Sequence, residues 1–288
     1  MEYIYILGNP RSGTSLFRIM LNQHSKIVSP PECGFAQWWF EKYSDWTPKD
    51  NESYRLNSFI DDLFTSKKIE TWNLDRTKVL KLIKTEAPKN YGELVSCVYI
   101  AFDPYPNRIK AIADKNNYYI HHIDKLRSIW PDSKFIHIVR DGRDVACSYL
   151  EVNNLKTDSP YKPQLPLSMD KIAVEWMENN KKIEQLNEEI PDRYLLVKYE
   201  DLLTTTKEIL LKICNFLDLE FEHSMLDYHK TNLKNNHEPI ETLDWKRKTL
   251  EKPDITKVNR YKKDLSENQV DLFNRTAKRY LLHYGYKI

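Results

Sequence analysis

A short β-branched and aromatic run, Tyr3–Leu7, leads into a turn carrying Gly8 and Gly13. Apolar residues at helical spacing follow, at Leu16, Ile19, Met20 and Leu21. The order strand, glycine-containing turn, helix is therefore expected over residues 3–23. It recurs at 134–150, where Lys134–Val139 reads as the strongest strand and Arg143–Leu150 as the helix after Gly142. Further strands are expected at Lys26–Ser29, Ile109–Ala113 and Tyr194–Val197. Helices are expected at Tyr91–Phe102, Ile120–Trp130, Asp170–Glu189, Thr206–Leu217 and Ser266–Tyr284, with Gly285 as the last C-cap. Strands alternating with helices predict parallel βαβ units, hence an α/β chain of three layers around a central parallel sheet. No internal repeat or composition break divides the chain, so residues 1–288 are expected to form one domain. Thr157–Pro166, rich in Pro and Lys, is the expected mobile loop.

Glycine is scarce: 6 in 288 residues, where ordinary usage would give about 20. A chain this poor in glycine should keep it where the backbone needs positive φ or close approach to a ligand. Three of the six fall in residues 7–15 and 139–148.

The first segment, Gly8-Asn9-Pro10-Arg11-Ser12-Gly13-Thr14-Ser15, sits between strand and helix. Such a turn points backbone N–H groups inward and adds the positive end of a helix dipole, which makes an anion cradle. A nucleotide-hydrolysing loop would carry Lys after the second glycine to reach the outer phosphates. Here Thr14 stands there and the cation is Arg11, inside the loop. In the second segment, Arg140 ends the strand, where ligands bind in open α/β sheets. Ser148 lies eight residues on and can converge with Arg140 on one anion across the turn. Arg and Ser together suit a phosphate monoester. Asp141 and Asp144 are expected to cap the helix or pair with arginines.

The 44 Lys+Arg against 42 Asp+Glu leave a charge of +2, which argues against a protein that binds nucleic acid or an anionic membrane surface. The longest apolar stretch, near Leu94–Phe102, falls short of the ~20 residues of a membrane span. The N-terminal residues read as strand, not secretion signal. Cys33, Cys97, Cys147 and Cys214 lie far apart, without zinc spacing or a disulfide framework, so a cytoplasmic location is expected.

Two anion sites on one sheet suggest a nucleotide with phosphates at both 5′ and 3′ positions. At this point the chain resembles the sulfotransferases that use 3′-phosphoadenosine-5′-phosphosulfate (PAPS). Pro10–Leu16 is similar to their 5′-phosphosulfate loop, and Ile138–Asp144 through Ser148 to their 3′-phosphate motif. Pro31-Glu32, Asp114-Lys115 and Val197–Leu202 also match. The resemblance runs from about residue 3 to 217 and is closer to the bacterial and tyrosylprotein-type branches than to the cytosolic phenol and steroid enzymes. Those carry Lys at the place of Arg11, and a Lys-x-His pattern at the place of Lys115-Asn116-Asn117.

The resemblance implies a P-loop NTPase-like fold and in-line sulfuryl transfer from PAPS to a hydroxyl or amine, with no metal. Arg11 and the N–H groups of Ser12, Gly13, Thr14 and Ser15 would meet the charge on the transferring group. Lys115 would serve the leaving oxygen and Glu32 would take the acceptor proton. Arg140 and Ser148 would hold the 3′-phosphate. Tyr199 either meets the adenine half or packs in the core. A late basic loop covers the 3′-phosphate in that family; here residues 230–265 include the dense run 246–263, with Lys252 and Arg260 as candidates. His121 and His122 are adjacent, point to different helix faces, and read as structural.

Ten aromatics in 35–72, including Trp38, Trp39, Trp46 and Trp72, suit either a satellite core or an acceptor-binding excursion over 33–75. A small molecule, glycan, lipid or peptide acceptor is open, as is the oligomeric state. The competing readings are an ATP-dependent phosphotransferase acting on a small hydroxyl compound, and a non-catalytic nucleotide-binding scaffold.

Overall fold

The computed structural model describes residues 1–230 and 238–288. Residues 231–237 of the expected cap loop lie outside the described residues. Five strands make one parallel sheet: β1 Glu2–Leu7, β2 Ile27–Val28, β3 Ala111–Lys115, β4 Lys134–Val139 and β5 Tyr194–Lys198, in the order β2-β3-β1-β4-β5. In register, Ile4 of β1 pairs with Ala113 of β3 and with Lys134 of β4. The chain is thus α/β as expected.

Alternation along each strand sends side chains to two faces. Ile4 and Ile6, with Ile136 and Ile138, pack on helix α1 (Thr14–Leu21) and on residues 202–217. Tyr5, Leu7 and Phe135 face the opposite layer, built on helix α2 (Tyr91–Phe102) and the 33–83 excursion. A third cluster joins helix α3 (Gly142–Asn154), helix α4 (Met169–Glu189) and helix α5 (Glu267–His283) beside Val139. Such double coverage is what makes the central strands read as nearly continuous apolar runs.

One expectation needs correction, and one helix was not foreseen. Ile120–Trp130 is not one helix: Asn116 caps a 3-10 turn at Asn117–His121, and the α-helix spans Ile123–Ile129. The helix at Arg76–Glu86 carries no clear apolar periodicity in the sequence. It is highly charged, buries Val79 and Ile83 one turn apart, and starts at Asp75, whose carboxylate accepts the Thr77 and Lys78 N–H groups. Thr157–Pro166 carries no helix or strand; Thr157 bonds Asp244, Ser159 bonds the Glu241 carbonyl, and Tyr161 bonds Glu70. Among the described residues no helix is long and apolar enough to cross a membrane.

Candidate active site

The ends of β1, β3 and β4 open into a cleft with about 1130 Å³ of empty space, mouth included. Every residue singled out for binding or chemistry lines it except Ser12, which is buried within the loop. The loop after β1 takes its shape from two left-handed residues, Arg11 at φ 69° and Gly13 at φ 92°. Alternating handedness turns N–H groups toward the cleft, but the Ser12 N–H, expected among the anion donors, instead donates to the Asn9 carbonyl at 3.1 Å and closes the turn. Gly13 is required twice over, because a Cβ there would lie 2.2 Å from Cδ2 of the Tyr199 ring. Asn9 fixes the loop from behind: its amide donates to the Tyr149 hydroxyl at 3.0 Å and its carbonyl accepts from Asn179 at 2.8 Å.

Arg11 departs from the expected arrangement. The sequence places it at one end of the expected ligand and Arg140 with Ser148 at the other. In the structure Arg11 Nε donates to Ser148 Oγ at 3.0 Å and Nη2 to the Trp245 carbonyl at 2.7 Å. Arg140 Nη1 donates to the Arg11 carbonyl at 3.2 Å and Nη2 to the Lys257 carbonyl at 3.1 Å. The three residues therefore form one cluster. The Arg140 guanidinium also lies 4.5 Å from the Tyr199 ring centre, a cation–π contact, and that ring both lines the cleft and packs against the core under α1. Burial and the neighbouring Arg140 charge pull the Arg11 guanidinium down from its usual range, an electrostatic cost that an anion would relieve.

At the other end of the cleft, Thr14 Oγ1 donates to Asn117 Oδ1 at 3.2 Å and Lys115 Nζ to Ser15 Oγ at 3.4 Å. Lys115 also bonds Glu32, which follows Pro30-Pro31 at the end of β2. Lys246 reaches the other Glu32 oxygen at 3.2 Å, and Lys68 joins it at 3.5 Å. Burial favours the neutral Glu32 carboxyl, but Lys115, Lys246 and Lys68 together outweigh it and hold the group well below the usual range. Burial lowers Lys115 to about 8, and the Lys246 charge adds to that against the pull of Glu32. Asp114, next to Lys115, is raised to about 6 by burial, although the Tyr119 and Tyr99 hydroxyls bond it.

The late segment closes over both ends. Asp144, expected as a cap or an arginine partner, instead accepts the backbone N–H groups of Asn259 and Tyr261 at 2.8 and 2.9 Å. Asp141 behaves as expected: it caps α3 through Arg143 N–H and pairs with the Arg143 guanidinium at 2.7 Å. Arg260 lines the cleft, but its charge is shared between Glu151 and Asp264. Lys252 is exposed on the rim. His121 and His122 lie outside this cleft.

Sequence reasoning missed Lys68, Lys246, Glu238 and Arg18. Lys246 stood in the basic run with nothing to select it, and Glu238 is a lone acid in no motif.

Among the described residues, Ser12 Oγ within the loop and Arg140 Nε at the cluster are two of several buried polar atoms without a hydrogen-bond partner. Of the two, only Arg140 lines the cleft, where a phosphorylated ligand would complete its hydrogen bonding. The donor set thus fits a bisphosphorylated nucleotide.

A family model described as the Sulfotransferase family matches residues 3–223. A Caenorhabditis briggsae protein provisionally named a protein-tyrosine sulfotransferase is 24% identical over 233 residues, 80% of this chain and 70% of that one. The Drosophila melanogaster protein-tyrosine sulfotransferase is 24% identical over 248 residues, 85% of this chain and 43% of that one, so this chain spans less than half its length. Among solved structures, the sulfotransferase domain from the curacin biosynthetic pathway superposes with TM-score 0.65 at 20% identity, covering 100% of this chain and 98% of that one. A mouse sulfotransferase complexed with PAP gives TM-score 0.51 at 14% identity, covering 99% and 89%. At such identities the likeness to the solved structures is one of fold. The phosphotransferase alternative finds no support in these matches.

Proposed function

The chain belongs to the sulfotransferase family, whose reaction is sulfuryl transfer from PAPS, and we propose that here Glu32 activates the acceptor hydroxyl or amine. The observation that carries this is the Glu32 carboxylate held between Lys115 and Lys246 in the same cleft as the anion-binding loop. The acceptor oxygen or nitrogen forms the new bond to sulfur, the bond from sulfur to the phosphate oxygen breaks, and the acceptor proton passes to Glu32. Lys115 and the N–H groups of the loop meet the charge left on the departing phosphate. Arg11, Arg140 and Ser148 hold the nucleotide's far phosphate, with Tyr199 beside them. Lys252 and Arg260 stand at the rim as part of a basic cap, and the cap together with the excursion belongs to one domain.

For the acceptor we favour a phenolic hydroxyl with anionic neighbours. A second groove adjoins Glu32, lined by Trp38, Tyr118, Tyr161, Lys67, Lys68 and Lys162. Trp38 and Tyr118 stand partly exposed on this groove, at 40% and 56%. Most other aromatics of the excursion, among them Phe35, Trp46, Phe59 and Trp72, are buried core. The relatives named for protein-tyrosine sulfation point to the same acceptor class. A cytoplasmic location accords with four cysteines that are all free and buried.

The test has two parts. PAP in EDTA, at 100 times its Kd, is expected to add about 2.7 kcal/mol of stability in a thermal melt; a shift seen only with ATP and Mg2+ would favour the phosphotransferase. PAPS should then add one sulfuryl group to an acidic tyrosine peptide but not to its phenylalanine counterpart, as read by mass spectrometry.

Lys115 also sets a pH limit. If its ammonium must assist the leaving oxygen, kcat/KM should fall as pH rises through about 8. Glu32 stays ionised far below neutrality, so it adds no acid limb near neutral pH. A rate that stays level up to pH 10 would remove Lys115 from the reaction.

A further inference from the structure

Glu238 is almost fully buried, and no part of the nucleotide site as described requires it. It bonds Lys246, accepts from Arg18 Nη2 at 2.8 Å, and takes the Thr242 hydroxyl at 3.2 Å. Arg18 projects from α1 and also donates from Nη1 to the Ser29 carbonyl at 2.7 Å, three residues before Glu32. Lys246 in turn donates to Glu32. An alternating chain of charges thus runs Arg18, Glu238, Lys246, Glu32, Lys115, and it ties the late segment to the base of the loop.

We propose that Glu238 is a positioning residue for sulfuryl transfer, holding Lys246 charged and in place against the Glu32 carboxylate. Isolated burial would strip an ammonium of its proton. Two carboxylates prevent this: burial lowers Lys246, and Glu238 and Glu32 more than restore it. Burial raises the Glu238 carboxyl, but Lys246 and Arg18 bring it down to about 2, so it is an anion at every working pH. The groups facing Lys246 are Glu238 on its own segment, Glu32 after β2, Arg18 on α1 and Lys115 on β3. Lys68 joins from the far side of Glu32. Arg18, Lys68, Lys115 and Lys246 outnumber Glu32 and Glu238 by two charges. Glu238 therefore limits the repulsion among the cations while leaving a positive excess for the transferring group.

The sign follows. Glu238→Gln removes one anion from Lys246 and Lys115, so both ammoniums lose their protons at lower pH. The alkaline limb of kcat/KM should move down by about one pH unit, and kcat should fall about ten-fold with a smaller change in KM for PAPS. Glu238→Asp keeps the charge and should return the limb toward its original position. A purely structural role would lower the rate and the melting temperature and leave the limb where it was. That result would overturn the proposal, as would an Asp variant no closer to the parent than Gln.

Only the kinetic arm rests on the sulfuryl-transfer reading. A second arm uses the protein without donor and with 15Nζ-labelled lysine. The Lys246 ammonium signal should persist from neutral pH to about 10 in the parent and titrate within that range in Glu238→Gln. Identical titrations would overturn the proposal whether or not PAPS is a substrate. A shifted titration in a protein inert toward PAPS would uphold the placement and sink the transfer reading.

Discussion

Glu32→Gln is expected to lower turnover by about 10²- to 10⁴-fold, the usual worth of a positioned general base, while PAP binds as well as before or better. The amide fits the same space but takes no proton. It also leaves Lys115, Lys246 and Lys68 facing one negative charge fewer, so the cleft becomes more positive and more hospitable to anions. Turnover and affinity should thus move in opposite directions, a split that loss of folding would not produce. The three ammoniums that depress Glu32 also make it a weak base at rest. Its basicity in the reaction depends on how far Lys115 and Lys246 are drawn toward the charge developing on the transferring group. Parental turnover at saturating acceptor would place the base elsewhere.

Arg140→Ala should weaken PAP by about 2 kcal/mol, the order of a lost charge-assisted bond, or roughly thirty-fold in Kd, with acceptor binding nearly unchanged. Arg140 leaves Nε unpartnered in a buried position, supports the Arg11 carbonyl and stacks on Tyr199. Its removal loosens the Arg11 carbonyl and the Tyr199 ring and, on the proposed reading, takes away a phosphate contact. Unchanged affinity by calorimetry would take Arg140 out of the nucleotide's phosphate site.

Much of this site is legible one segment at a time. Gly13 is required by its own φ and by the Tyr199 ring, and both the loop and Tyr199 could be marked in advance. Arg140 ends a strand whose boundaries match the structure residue for residue. Glu32 and Lys115 follow from the resemblance, and the structure brings them into contact. Arg11 was recognised, but its partner was not: the side chain crosses 137 positions of sequence to Ser148. Nothing local selects that rotamer over one aimed at Glu32. Lys246 could not be separated from the neighbouring lysines, because its selection depends on Glu32, 214 positions away. Glu238 and Arg18 lie 220 positions apart and gave no signal at all.

Hydrophobic periodicity and the demands of glycine on φ are properties of a few consecutive residues. The strand–turn–helix order, the parallel sheet and the glycine turn after β1 were therefore determined by the sequence alone. Which cations surround the carboxylate, and so how acidic each becomes, was decided only by tertiary structure. Coulomb energies depend on separation in space and on exclusion of water, and neither quantity is written in the spacing of residues along the chain.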